Sequence, residues 1–147
     1  MDRRSIWFFT FLVTTIVVII LFVTGSSLLL VALDNNDSIP LGTFITWLGM
    51  VSLPMTIYSG IKELRNPTRK LSKILSPLLK FIIVLGILWV PLAYLLAGNL
   101  SFTFTEKTSF QGGQMAMKTF WILSYGIGIG ALSVLVIYWI SLFFTKK

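Results

Sequence analysis

Apolar residues run along this chain in long uninterrupted blocks, with neither the alternation of a half-buried strand nor the three-and-four spacing of a surface helix. Four blocks stand out, at residues 6–33, 39–61, 81–97 and 119–145, the third extended to about 78–97 by Leu78 and Leu79. Residues 6–33, 39–61, 81–97 and 119–145 contain no charged side chain, and the extension of the third block takes in Lys80. A helix rises ~1.5 Å per residue, so about 20 apolar residues cross the ~30 Å hydrocarbon core of a bilayer. The pattern predicts an all-α integral membrane protein, a four-transmembrane-helix bundle built as a single domain over residues 1–147. The first block greatly exceeds the ~7–15 apolar residues of a signal peptide, and no small-x-small site follows it, so it reads as a retained anchor.

The polar segments between the blocks carry their own signals. Asp34-Asn35-Asn36-Asp37-Ser38 is a tight turn of residues that bond their own backbone. In segment 62–80, Asn66-Pro67 and Ser76-Pro77 each place a capping side chain before a proline suited to the first helical position, which predicts two helix starts. Between them Leu71, Ile74, Leu75 and Leu78 recur at helical spacing, as in a short interfacial helix lying on the membrane surface. In segment 98–117, Ser101-Phe102-Thr103-Phe104-Thr105 alternates and Gly112-Gly113 follows. This predicts a small β-hairpin with Phe102, Phe104 and Phe110 on one face, resting on lipid or offered to a partner.

Charge sets the expected orientation. Ten of the twelve cations, Arg3, Arg4, Lys62, Arg65, Arg69, Lys70, Lys73, Lys80, Lys146 and Lys147, fall on one side of the four spans, against Asp2 and Glu63. Lys107 and Lys118 fall on the other with Asp34, Asp37 and Glu106. By the positive-inside rule both termini and segment 62–80 are cytoplasmic, and the expected location is a bacterial inner membrane.

Composition then removes most chemistry. Hydrophobic residues make up 56% of the chain and charged ones 12%, against roughly 45–50% and ~25% in soluble domains. Cysteine and histidine are both absent. That excludes disulfides, thiolate or imidazole metal sites, thiol nucleophiles, haem ligation by either residue and the commonest general base. We expect no enzyme activity and no cofactor. The uncharged spans also argue against a proton-coupled antiporter, an ion pump or a voltage sensor, which place ionisable groups in the bilayer.

Two small-residue patterns remain. Gly42, Thr46, Gly49, Ser52, Thr56 and Ser59 recur every three or four residues, so one face of the second span should meet protein. The bland reading is helix packing with hydroxyls on backbone carbonyls, and the sharper one is a water-filled pore. In the fourth span Gly126 and Gly130 form a GxxxG pair with Ser133 one turn on, suited to close helix contact within one chain or between copies. Pro54 and Pro91 each remove a donor, from the carbonyls of Met50 and Ile87, which predicts bent helices.

These features favour a non-enzymatic anchor or sensor subunit that oligomerises through its small-residue faces. Arg65, Arg69, Lys70 and Lys73 would meet lipid headgroups or an acidic soluble cytoplasmic protein, and no nucleic acid is expected. A bacterial stress or antiphage defence system is one setting such a part would serve. The alternatives are a pore-forming or holin-like protein and an immunity protein against a membrane-inserting toxin.

Overall fold

The computed structural model describes residues 2–33, 39–101 and 110–144. Within them the chain forms six α-helices, α1 (Arg3–Val23), α2 (Leu41–Gly60), α3 (Lys62–Arg65), α4 (Lys70–Ile87), α5 (Trp89–Ala97) and α6 (Gly113–Phe144), and a 3-10 helix, Ser27–Leu30. Among the described residues the only strand-like pairing is an isolated bridge between Ala32 and Pro40. Helices α1, α2 and α6 are each long and apolar enough to cross a membrane. The pair α4 and α5 makes a fourth span if its 55° bend is counted as one crossing. The architecture is that of an integral membrane protein.

The first apolar block is broken by local chemistry. After Val23 the Gly25 backbone is left-handed, at φ 59°, the conformation glycine adopts without a Cβ penalty. The Ser26 N–H then bonds the Leu21 carbonyl at 3.0 Å and the Gly25 N–H bonds that of Phe22 at 3.2 Å. This Schellman arrangement caps α1, and the rest of the block continues as a separate 3-10 turn.

Two further expectations are corrected. Ser76-Pro77 does not start a helix, and no separate interfacial helix precedes the third span, because α4 runs unbroken from Lys70 through Pro77 to Ile87. Its buried side continues across the proline as Ser72, Leu75, Ser76, Leu79, Ile82, Ile83 and Gly86. Pro77 itself is exposed, as is Lys73, whose carbonyl loses a donor, so tertiary packing on the opposite side overrides the local stop signal. Between α2 and α4 the chain carries only the single turn α3, whose Leu64 is fully buried at the end of the bundle.

The helix pair α4–α5 breaks at Leu88, three residues before Pro91. Pro91 has no N–H for the Ile87 carbonyl. That carbonyl instead accepts the Trp47 indole N–H of α2 at 3.1 Å. The complementary vacancy lies across the same interface, where Pro54 leaves the Met50 carbonyl without its helical donor. A Cβ built on Gly86 of α4 would stand 2.6 Å from that oxygen, so only glycine fits. α2 and α4 thus meet at each other's proline-freed carbonyls.

The hydrophobic core joins α2 to α6 and includes Ile57, Leu64, Leu79, Trp89, Phe120 and Val134. It contains no residue of α1. Thr15 is the only buried residue of α1.

Candidate functional site

The small-residue stripe of α2 meets α1 over much of its length. Thr15 Oγ1 lies 2.9 Å from Ser52 Oγ and 3.5 Å from Thr56 Oγ1, and is bonded to the Phe11 carbonyl at 2.8 Å. A hydroxyl has one proton, so this buried group donates to Ser52 Oγ or to the Phe11 carbonyl, one at a time. Val18 of α1 presses against Gly49 and Phe8 against Gly60, each side chain within 2.8 Å of where a Cβ would stand. The other hydroxyls turn to their own helix: Thr46 to the Gly42 carbonyl at 2.7 Å, Thr56 to that of Ser52 at 2.8 Å and Ser59 to that of Met55 at 2.6 Å. Gly42 is buried at the start of α2.

On α6 the GxxxG pair is divided. Gly130 faces Ile82 of α4, whose Cδ1 is 3.1 Å from the Cβ position, while nothing lies within 4 Å of the Gly126 position. Both glycines line an apolar groove of about 500 Å³ between α4 and α6, together with Ser133 and Ile137. Ser133 is exposed, and its hydroxyl makes no hydrogen bond among the described residues.

A second apolar groove, about 460 Å³, separates α1 from α6. Its walls are Val18, Ile19 and Phe22 on one side and Trp121, Tyr125 and Gly128 on the other, with Gly49, Met50 and Leu53 of α2 between them. It exists because α1 packs on α2 and the 3-10 helix and on no other described element. At its back Trp89, 1% exposed, donates its indole N–H to Ser124 Oγ at 2.8 Å, and Ser124 bonds the Phe120 carbonyl at 2.8 Å. The buried polar groups are thus paired and the groove surface is hydrocarbon.

The basic cluster expected from sequence is split. Arg69, Lys70 and Lys73 are exposed around the start of α4. Arg65 folds the other way and donates to the Ser59 carbonyl at the C-terminal end of α2, where a cation complements the helix dipole. Glu63 organises the turn between them: its Oε1 accepts the Arg69 N–H at 2.9 Å and the Thr68 N–H and hydroxyl at 2.8 Å each. These bonds, the Arg69 amide first, hold its carboxyl down at about 2. Phe110 is half-buried, its ring 5.2 Å from that of Phe120, whereas Phe102, Phe104 and the expected hairpin lie outside the described residues.

Sequence reasoning missed three participants. Thr15 is one of several threonines in a uniformly apolar helix and nothing local distinguishes it. Trp47 belongs to no small-residue or charge pattern, although an indole donor in the helix before Pro91 is a usable signal. Gly86 is a lone glycine outside any small-residue pattern. No described group of three or more His, Cys, Asp or Glu residues could hold a metal. Compared with known proteins, the chain matches no protein family, no curated protein and no solved structure.

Proposed function

We propose that this protein is a non-enzymatic anchor or sensor subunit of a bacterial inner membrane, crossing it four times with both termini in the cytoplasm. It assembles with copies of itself through the groove between α4 and α6 and presents Arg69, Lys70 and Lys73 to an acidic soluble partner. The observation that carries this reading is the half-used GxxxG face of α6. Gly130 is filled by Ile82, but Gly126 is open and the Ser133 hydroxyl has no partner among the described residues. In hydrocarbon a second helix could approach at Gly126 and satisfy Ser133, and such contacts drive association where lipid offers no hydrophobic gain. The pore alternative needs the α2 hydroxyls to line water. Their bonds to helical carbonyls and to Thr15 favour the packing reading instead.

The native chain has no cysteine, so Ser133→Cys introduces a single thiol. In native membranes it is expected to form a disulfide between copies under oxidant, and Gly126→Leu in the same background should abolish that link while leaving thermal stability unchanged. A chain that is monomeric in nanodiscs and forms no Ser133→Cys link would sink the assembly reading. For the basic end, Arg69→Gln/Lys70→Gln/Lys73→Gln should lose a co-purifying acidic protein in a correctly inserted chain.

A second reading, an immunity protein, draws on the groove between α1 and α6. Its open hydrocarbon walls would receive an apolar helix of an inserting toxin. Protection of cells from one such toxin, lost in Gly128→Trp, would favour it over the anchor.

A further inference from the structure

Arg4 of α1 and Arg65 of α3, remote in sequence, both border two clefts at the corner where α1 begins and α2 ends. The first is polar, about 460 Å³, and is lined by Asp2, Arg4, Ser5, Ser59, Gly60 and Arg65 among others. The second, about 340 Å³, is almost wholly apolar and passes between Trp7 and Phe11 of α1 and Met55 and Tyr58 of α2. Along α1, Arg4, Trp7 and Phe11 follow each other at three and four residues, so a cation, an interfacial aromatic and an apolar ring succeed one another down one helical face.

The charges at this corner are available to a ligand. Arg65 spends one guanidinium nitrogen on the Ser59 carbonyl and keeps its remaining donors. Neither arginine makes an ion pair among the described residues. Glu63 is engaged with Thr68 and Arg69, and Asp2 caps nothing with its side chain. An anion entering the polar cleft therefore meets two guanidinium forks against the single carboxylate of Asp2.

We infer that this corner binds one anionic phospholipid, its phosphate between Arg4 and Arg65 and one acyl chain in the cleft of Trp7, Phe11, Met55 and Tyr58. Guanidinium groups match phosphate oxygens in planar, bidentate geometry. The apolar cleft sharing the same two arginines is what selects a lipid over a soluble phosphate, which would leave that cleft empty. The site is independent of self-assembly through α6, since it is built from α1, the end of α2 and Arg65 of α3 and uses no residue of α6. By joining the first helix to the end of α2, a bound lipid would also fasten the helix that the core leaves out.

The test is native mass spectrometry of the full chain released from nanodiscs holding equal amounts of phosphatidylglycerol and phosphatidylcholine. Wild type should retain one phosphatidylglycerol with about tenfold preference. Arg4→Gln, which removes a side chain with no hydrogen bond to the fold, should lose most of that preference, and Arg4→Gln/Arg65→Gln all of it. Lys70→Gln/Lys73→Gln should keep it. Trp7→Ala/Phe11→Ala should weaken retention of either lipid, and millimolar inorganic phosphate should displace none. Equal retention of both lipids by wild type, or an undiminished preference in Arg4→Gln, would overturn the site. So would an equal loss in the lysine variant, which reduces it to a diffuse basic face, or displacement by inorganic phosphate, which reduces it to a headgroup pocket.

Discussion

Helices α1 and α6 are both long enough and apolar enough to span a bilayer, yet α1 buries only Thr15 whereas α6 buries Ala116, Phe120, Ser124, Ile127, Ala131 and Val134. Of the three helices that qualify singly as spans, the most apolar, α1, is the least buried, and the least apolar, α2, is the most buried. In water the order would be reversed, because burial is driven by apolar area. In lipid the surroundings are as apolar as leucine, so hydropathy measures affinity for the bilayer and packing follows small residues and polar pairs. α6 offers alanines and serines at helical spacing and is held by a core. α1 offers one threonine, with Val18 and Phe8 seated on the glycines of α2, and is held by one side.

The contrast can be broken first at the core. Gly86→Ala puts a methyl group 2.6 Å from the Met50 carbonyl oxygen, a backbone atom that cannot rotate away. It should destabilise the bundle by about 3 kcal/mol, read as a lowered thermal unfolding midpoint in detergent. Gly126→Ala, with nothing within 4 Å, should change that midpoint little, and equal effects would show that α2 and α4 do not meet as described.

Trp47→Phe keeps an aromatic side chain, though a smaller one, and removes the donor to the Ile87 carbonyl. An unsatisfied carbonyl at a helix break in hydrocarbon should cost about 1–2 kcal/mol. The loss should loosen the junction of α4 and α5, seen as faster exchange of the Leu92 amide, which bonds Leu88 across the break.

Thr15→Val tests α1 itself. It deletes the contacts to Ser52 and Thr56 at near-constant shape, and hydroxyl bonds between membrane helices average ~0.6 kcal/mol. The global midpoint should barely move, while distance measurements between spin labels on α1 and α6 should broaden. A global destabilisation matching that of Gly86→Ala would mean that α1 belongs to the core after all.

The smallest effect is expected at Glu63. Its carboxyl titrates at about 2 instead of the ordinary 4.5, so the folded state favours the ionised form. The stabilisation is complete above pH 4.5 and is lost as pH falls toward 2. Protection of the Thr68 and Arg69 amides should decline over that window in wild type and be low at every pH in Glu63→Gln. Because the group is exposed, the change should stay within the turn that precedes α4.

Hydropathy and charge along the chain were enough to establish a helical membrane protein with its apolar stretches near residues 6–33, 39–61, 78–97 and 119–145. Those signals are local, set by the length of uncharged sequence against the thickness of a bilayer. The second stretch matches α2 to within two residues, and the polar stripe along it was visible as a face from spacing alone. Where helices end was only partly legible. Gly25 stops α1 through a left-handed cap, and Pro77 fails to stop α4 because a buried face continues past it. Which helix neighbours which could not be read, since a lipid-facing and a protein-facing leucine look alike in sequence. Only the tertiary structure brought Trp47 to Ile87, Gly86 to Met50 and Thr15 to Ser52. Each is a contact between distant segments that a few polar or missing atoms decide, in a medium where the hydrophobic effect does not choose partners.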